Sequence, residues 1–364
     1  MTNTNTESVQ AFYTAVDNDD IDPLQGMWHI IRTGLGFWDA RVLMAAVELG
    51  VFAELAERPG ATLDELTDRL GLHPRGARDF FDALVALRLL NREGDRYHNT
   101  GATNVHLNPA RPEMDVSGML GFIHGRFYDD WRKLPESLRT GEPQSDITAG
   151  GKDAFAALYA DPERVRRFQR AMHGSSLGAK LVIGDKFPWD KYRTVADIGS
   201  VAGPLLIRLL TAHPHLRGIG FDLPPVQPWF EEAVADAGLS DRCRFQAGDF
   251  FADPMPSADV VVLGHVLHDW DLPTKRKLLD KAYEALPPGG AVVVYDNMID
   301  DERRENVHGL LTSLHMLLVS PGGFDYTGED CLGWLADAGF EGGQVVHLAG
   351  PESLAAGYKP SAAA

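Results

Sequence analysis

Cysteine is nearly absent: Cys243 and Cys331 are the two in 364 residues. Two thiols build no disulfide framework, and such usage suits a reducing, cytoplasmic setting. Long apolar runs are missing as well. None approaches the roughly 18 residues that span a bilayer, and the polar residues 1–5 give no expectation of a secretion signal. Basic residues are scarce, with 34 Lys plus Arg against 52 Asp plus Glu and a formal charge of -18. That balance repels phosphate backbones, so nucleic acid is disfavoured as a partner. A full G-x-G-x-x-G loop is lacking too, because Ser200, Val201 and Ala202 stand between Gly199 and Gly203. Its absence argues against a dinucleotide pyrophosphate site.

What is present has the length of about two ordinary domains. Residues 1–22 are polar and close on an acidic cluster before Pro23, an arm expected to be either disordered or swapped onto a partner. Helical apolar spacing follows over 34–49. Thr62 and Glu65 then form a capping-box signal ahead of a second helix, a third spans 75–90, and a hairpin turns at Glu93-Gly94-Asp95. Helices with a small β-wing make a winged-helix module. Arg75 and Arg78 are balanced there by Asp64, Glu65, Asp68, Asp79 and Asp82, so the module reads as a packing or dimerisation device rather than a DNA reader. Residues 105–185 are read as mostly helical, with aromatic anchors at Phe122, Phe127, Tyr128, Trp131, Phe155, Tyr159 and Phe168 that fill the core or line a substrate pocket.

From residue 194 strands and helices alternate. Strand-like runs cover 194–198, 218–221, 243–246, 258–263, 291–295 and 343–348, and helical spacing covers 205–212, 229–237, 272–286, 304–319 and 328–338. The expected fold class is α/β, a Rossmann-like doubly wound sheet, mainly parallel, with ligands at the carboxyl ends of the strands. The stretch 194–206 reads as strand, tight glycine loop and helix, a pattern that serves nucleotides, dinucleotides and S-adenosylmethionine alike. Asp222 closes the next strand where a ribose diol could be held, and Asp197 just ahead of the loop would attract a cationic sulfonium. Asp249 and Phe250, after Gly248, suit an adenine. The fourth strand runs into Gly264-His265-Val266-Leu267-His268-Asp269-Trp270, and the fifth ends at Asp296. A buried His beside carboxylates is a general-base candidate.

These residues resemble the class I, S-adenosylmethionine-dependent small-molecule O-methyltransferases, of the caffeate and acetylserotonin kind with actinobacterial secondary-metabolite relatives. The resemblance rests on His268-Asp269-Trp270, Phe221-Asp222-Leu223-Pro224, Gly248-Asp249-Phe250-Phe251, Ala285-Leu286-Pro287-Pro288-Gly289-Gly290 and Pro321-Gly322-Gly323. It implies an S-adenosylmethionine cofactor, an aromatic small-molecule acceptor and a homodimer, and no metal ligand is assigned. It also implies three regions: 1–105 for dimerisation, 106–188 as helical linker and substrate lid, and 189–358 for the cofactor. By the same resemblance Asp197, Gly199, Ser200, Gly203, Asp222, Leu223, Gly248, Asp249, Phe250 and Gly264 form the cofactor site. His268 is the general base, flanked by Asp296 and Asp325. Ser200-Val201-Ala202, Gly264-His265, Asp325-Tyr326 and His315 depart from the family pattern.

Those departures leave the acceptor atom open. Methylation of a phenolic oxygen is one reading. Methylation of carbon on an indole or α-keto acid is another, with His315 sharing the base role or with His268, Asp269 and His315 binding a metal. Readings of other classes are a cofactor-binding enzyme that runs hydroxylation or decarboxylation, and a winged-helix regulator.

Overall fold

A computed structural model describes residues 23–145, 174 and 176–361. The expected arm over 1–22 and the anchors Phe155, Tyr159 and Phe168 lie outside the described residues. The chain divides into two compact units at Ser117 and Gly118.

In the first unit, α1 (Pro23–Glu48) and α2 (Val51–Glu57) precede a short strand, β1 (Ala61–Thr62), and α3 (Leu63–Arg69). The expected capping box is present, with Glu65 N–H donating to Thr62 Oγ1 at 3.3 Å and Thr62 N–H to Glu65 Oε2 at 2.8 Å. Next come α4 (Pro74–Ala86), the hairpin β2 (Leu90–Glu93) and β3 (Arg96–Asn99), and α5 (Gly101–His106). The three strands pair in the order β1-β3-β2. Phe52, Leu55, Leu66, Phe81, Leu84 and Leu90 are buried, and Tyr97 packs its ring on Phe81 while donating its hydroxyl to Asp82 at 2.7 Å. Helix α1 begins earlier than its apolar spacing predicts, with Pro23 at its first position, where a fixed φ and a missing N–H cost nothing. Its apolar residues go all round instead of forming one stripe, and Trp28, Phe37 and Trp38 are 59%, 52% and 57% exposed.

The second unit opens with α6 (Ser117–Asp130), a 3₁₀ turn at Trp131–Lys133, α7 (Leu134–Thr140) and α8 (Leu177–Lys186). The α/β part follows: β4 (Thr194–Ile198), α9 (Pro204–Ala212), β5 (Arg217–Asp222), α10 (Gln227–Asp236), β6 (Cys243–Ala247), β7 (Val260–Gly264), α11 (Leu272–Ala285), β8 (Ala291–Asp296), α12 (Val307–Val319), α13 (Gly328–Asp337), β9 (Glu341–Ala349) and β10 (Glu352–Tyr358). The sheet runs β6-β5-β4-β7-β8-β10-β9. Neighbours from β6 to β8 pair in parallel, whereas β10 is antiparallel to both β8 and β9.

Strand periodicity builds two cores from one sheet. Val195, Val260, Val262, Val293 and Tyr295 face one cluster, and Ala196, Ile198, Val261, Leu263 and Val294 face the other. Both faces being buried explains why these strands read as unbroken apolar runs. Strand order reverses on either side of β4, so the loop after β4 sits at the topological switch point, where open α/β sheets take their ligands. Beneath that loop, Phe230 is fully buried against Gly220 of β5. A Cβ at Gly220 would stand 2.2 Å from the Phe230 ring. Gly220→Ala is therefore expected to cost about 1–3 kcal/mol through overpacking. Guanidinium denaturation followed by circular dichroism checks this, and an unchanged midpoint would contradict the packing described.

Candidate active site

The loop after β4 is built by backbone geometry. Gly199 and Gly203 adopt φ of 75° and 73°, and between them Val201 also stands at φ 49°, a costly conformation for a β-branched residue. Asp222, at the end of β5, holds that turn: its Oδ2 accepts from Val201 N–H at 2.9 Å and its Oδ1 from Leu223 N–H at 2.7 Å. Structure thus brings Asp197, Gly199, Ser200, Gly203, Asp222 and Leu223 together. Asp197 and Asp222 are both buried. Burial raises Asp197 to about 7, against the attraction of Lys180, and raises Asp222 to about 6, against its two backbone hydrogen bonds. A bound cation would favour the ionised form of both. Ser200 Oγ is buried without a partner.

Gly248 and Gly264 abut Phe221 and Tyr295, whose rings stand 2.4 and 2.1 Å from where a Cβ would be. Both glycines thereby let core rings pack under the site. Asp249 turns its carboxylate back onto Phe251 N–H at 2.8 Å. Phe250 and Phe251 stack edge to face at 4.6 Å, and Phe251 meets Trp270 at 4.7 Å, an aromatic corner beside the acid.

The strongest electrostatic feature lies after β7. His268 Nδ1 is 3.2 Å from Asp325 Oδ1 and 3.8 Å from Asp296 Oδ1, and its Nε2 is 3.7 Å from Asp269 Oδ1. Burial opposes the His268 cation, but Asp296, Asp269 and Asp325 outweigh it and raise the imidazole to about 10. Burial raises Asp296 and Asp269 in turn. Asp296 Oδ2 accepts from the Tyr326 hydroxyl at 2.5 Å, while Asp296 Oδ1 and Asp325 Oδ2 have no hydrogen-bond partner. Lys275, wholly buried, clamps the two loops by donating to Trp270 O at 2.5 Å and Phe324 O at 3.0 Å. Phe324 N–H donates to His268 O at 2.9 Å, and Gly323 allows that approach, since a Cβ there would lie 2.8 Å from the same carbonyl.

His315 on α12 sits against Phe127, ring centroids 4.2 Å apart, and parallel to Trp131 at 6.3 Å. Burial first, then repulsion from His268, lowers it to about 4, and its Nδ1 is buried without a partner. His315 is not in the trio that brings one ligand-type atom each within 4.8 Å, which among the described residues is His265, His268 and Asp296. His268 Nδ1 is already on Asp325 and His265 Nε2 is 2.9 Å from Glu352 Oε1, so we read this trio as part of a network of charges rather than a metal cluster.

Two family models match, an O-methyltransferase domain over residues 131–341 and an O-methyltransferase dimerisation domain over 31–109. The chain is 44% identical over 338 residues to the tetracenomycin polyketide synthesis 8-O-methyl transferase TcmO of Streptomyces glaucescens, covering 93% of this chain and 98% of that one. It belongs to the O-methyltransferase family. A second relative of this methyltransferase is the N,N-dimethyltransferase OxyT of Streptomyces rimosus, 39% identical over 85% of this chain and 90% of that one. Among solved structures, human N-acetylserotonin methyltransferase in complex with SAM superimposes with a TM-score of 0.81 at 26% identity, covering 95% of this chain and 100% of that chain.

Within the methyltransferase, sequence reasoning missed Glu352, Lys180 and Lys275, and treated His265 only as a departure. Lys275 carried no distinct signal, being one of four cations on its helix. Glu352 carried none, since it reaches the site from 87 residues away. Two imidazoles in this site are shifted in opposite directions. Nitrogen-15 NMR of the histidine rings should show His315 neutral from about pH 5 upward and His268 charged until about pH 9. A common midpoint near 6.5 for both would contradict the charge distribution described.

Proposed function

We propose that the chain methylates a phenolic hydroxyl of an aromatic secondary metabolite, with His268 as general base. S-adenosylmethionine is the cofactor, and when bound it supplies an electrophilic methyl group on a sulfonium. The residues fit it. Asp197 and Asp222 offer buried negative charge, and the orphan Ser200 Oγ and the strained Val201 lie on the loop between them. Asp249 and Phe250 complete the site, with Gly199, Gly203, Leu223, Gly248 and Gly264 as its backbone wall.

The observation that carries the reading is one imidazole held among three carboxylates. His268 Nδ1–H donates to Asp325 Oδ1, a tautomer assigned from its partners, which leaves Nε2 for the acceptor. Ionising a phenol at pH 7 costs roughly 4 kcal/mol. A base raised to about 10 matches the proton affinity of a phenol, so once His268 has lost its resting proton the hydroxyl proton passes to Nε2 with little uphill cost as the oxygen is alkylated. Asp296 and Asp325 then stabilise the imidazolium. At neutral pH the resting imidazole already holds a proton, so the competent form gains population as pH rises. Phe127, Trp131 and His315 provide an aromatic wall for the acceptor, in a direct displacement that depends on alignment.

The three regions keep their assigned roles in this reading: 1–105 for dimerisation, 106–188 for linker and lid, 189–358 for cofactor binding. Exposed Trp28, Phe37 and Trp38 on α1 supply the apolar surface of a homodimer. A second reading sends the methyl to nitrogen, and the 39% identity to an N,N-dimethyltransferase favours it.

Two readouts test the proposal together. Methyl-labelled cofactor incubated with phenols, aromatic amines, indoles and α-keto acids locates the label, which is expected on phenolic oxygen. His268→Ala is expected to lower kcat by about 10²–10⁴-fold with the cofactor Kd nearly unchanged. Full activity in that variant would remove His268 from the chemistry.

A further inference from the structure

His265 occupies an unusual place beside the base. Its backbone is left-handed, φ 51°, a strained conformation for a side chain of this size. The strain aims the ring between two carboxylates on two strands. Nε2 lies 2.9 Å from Glu352 Oε1 at the start of β10, and Nδ1 lies 3.5 Å from Asp296 Oδ1 at the end of β8. The ring is thus set between two buried carboxylates, within hydrogen-bond distance of Glu352 and within ion-pair distance of Asp296. Glu352 is itself 3% exposed, and its Oε2 accepts from Ala179 N–H at 2.7 Å, which fixes it between α8 and the sheet. The Asp296 oxygen that faces His265 is the same one that faces His268, and it has no hydrogen-bond partner.

We propose that His265, anchored by Glu352, is a positioning residue for methyl transfer, a cationic bridge that keeps Asp296 ionised beside His268. The inference rests on His268 being the base. Burial pushes Asp296 toward its neutral form, and His268 and then His265 counter that push. Without the bridge, Asp296 takes up a proton, and His268 loses the largest of the attractions that hold its own. The other groups around the pair do not replace it. Asp325 and Asp269 face His268 directly, the cation of Lys275 faces the same carboxylates from α11, and His315 repels from α12. Lys180 on α8 faces Glu352 and Asp197 rather than Asp296. No proton need pass through His265; it acts through charge.

The test is the titration midpoint of His268, read by nitrogen-15 NMR on the full-length chain and assigned by loss of its resonance in His268→Ala. His265→Gln and Glu352→Gln are expected to lower that midpoint by about 1 unit or more. His265→Arg, which retains a cation between the two carboxylates, is expected to hold it within about 0.3 unit of the parent. Asp296→Asn should lower it alone, and adding His265→Gln should change nothing further, as for two groups acting through one oxygen. In parallel, the kcat–pH profile of the Gln variants should move to lower pH together with that midpoint, with the cofactor Kd within about twofold of the parent. An unchanged midpoint in His265→Gln, equal midpoints for Gln and Arg, or an additive double variant would overturn the proposal. Should the Gln variant fail to fold, Glu352→Gln and the Arg variant decide it alone. Activity of His268→Ala is read separately, so a wrong base and a wrong bridge give different results.

Discussion

Buried negative charge is the constraint on which the second unit depends. Asp197, Asp222, Asp296 and Asp325 are each at most 9% exposed, and each ends a strand or lies on a loop above the strands' carboxyl ends. Isolated carboxylates in such a place would neutralise or unfold the site. They persist because the protein supplies cations and donors at fixed positions: Lys180 near Asp197, loop amides on Asp222, and the Tyr326 hydroxyl and the His268 imidazole at Asp296. Such an arrangement is open to one further positive charge, which is the character of a sulfonium donor.

The same electrostatics separate the tasks of similar groups. His268 and His315 are both largely buried, yet carboxylates raise the first to about 10 and apolar surroundings lower the second to about 4. One imidazole is thereby suited to holding a proton and the other to remaining a neutral, aromatic wall. Divergent environments for like groups are a usual mark of acid-base sites.

Much of this was legible in the chain. Apolar runs bounded by acids located β4, β5, β7 and β8, because strands buried on both faces carry a continuous signal. The Thr62 and Glu65 capping box located a helix start for a different reason: the interaction is local. Strand β10 was not seen. Its Ala and Gly residues have little strand propensity, and its place comes from pairing with β8 and β9. Glu352 went unseen with it. His265 stood in view as a departure, but its purpose depends on partners on β8 and β10 that no spacing rule connects. Asp325, by contrast, was found through resemblance rather than through pattern.

The central claim is that a cationic cofactor is held by carboxylates which burial alone would leave partly protonated. Calorimetry of cofactor binding near pH 6.5, repeated in buffers of different ionisation heat, tests it directly by counting protons. Because Asp197 is raised to about 7 and Asp222 to about 6, S-adenosylmethionine should release protons on binding, and more of them than uncharged-sulfur S-adenosylhomocysteine. Binding with no proton release, or with equal release for both molecules, would contradict the account.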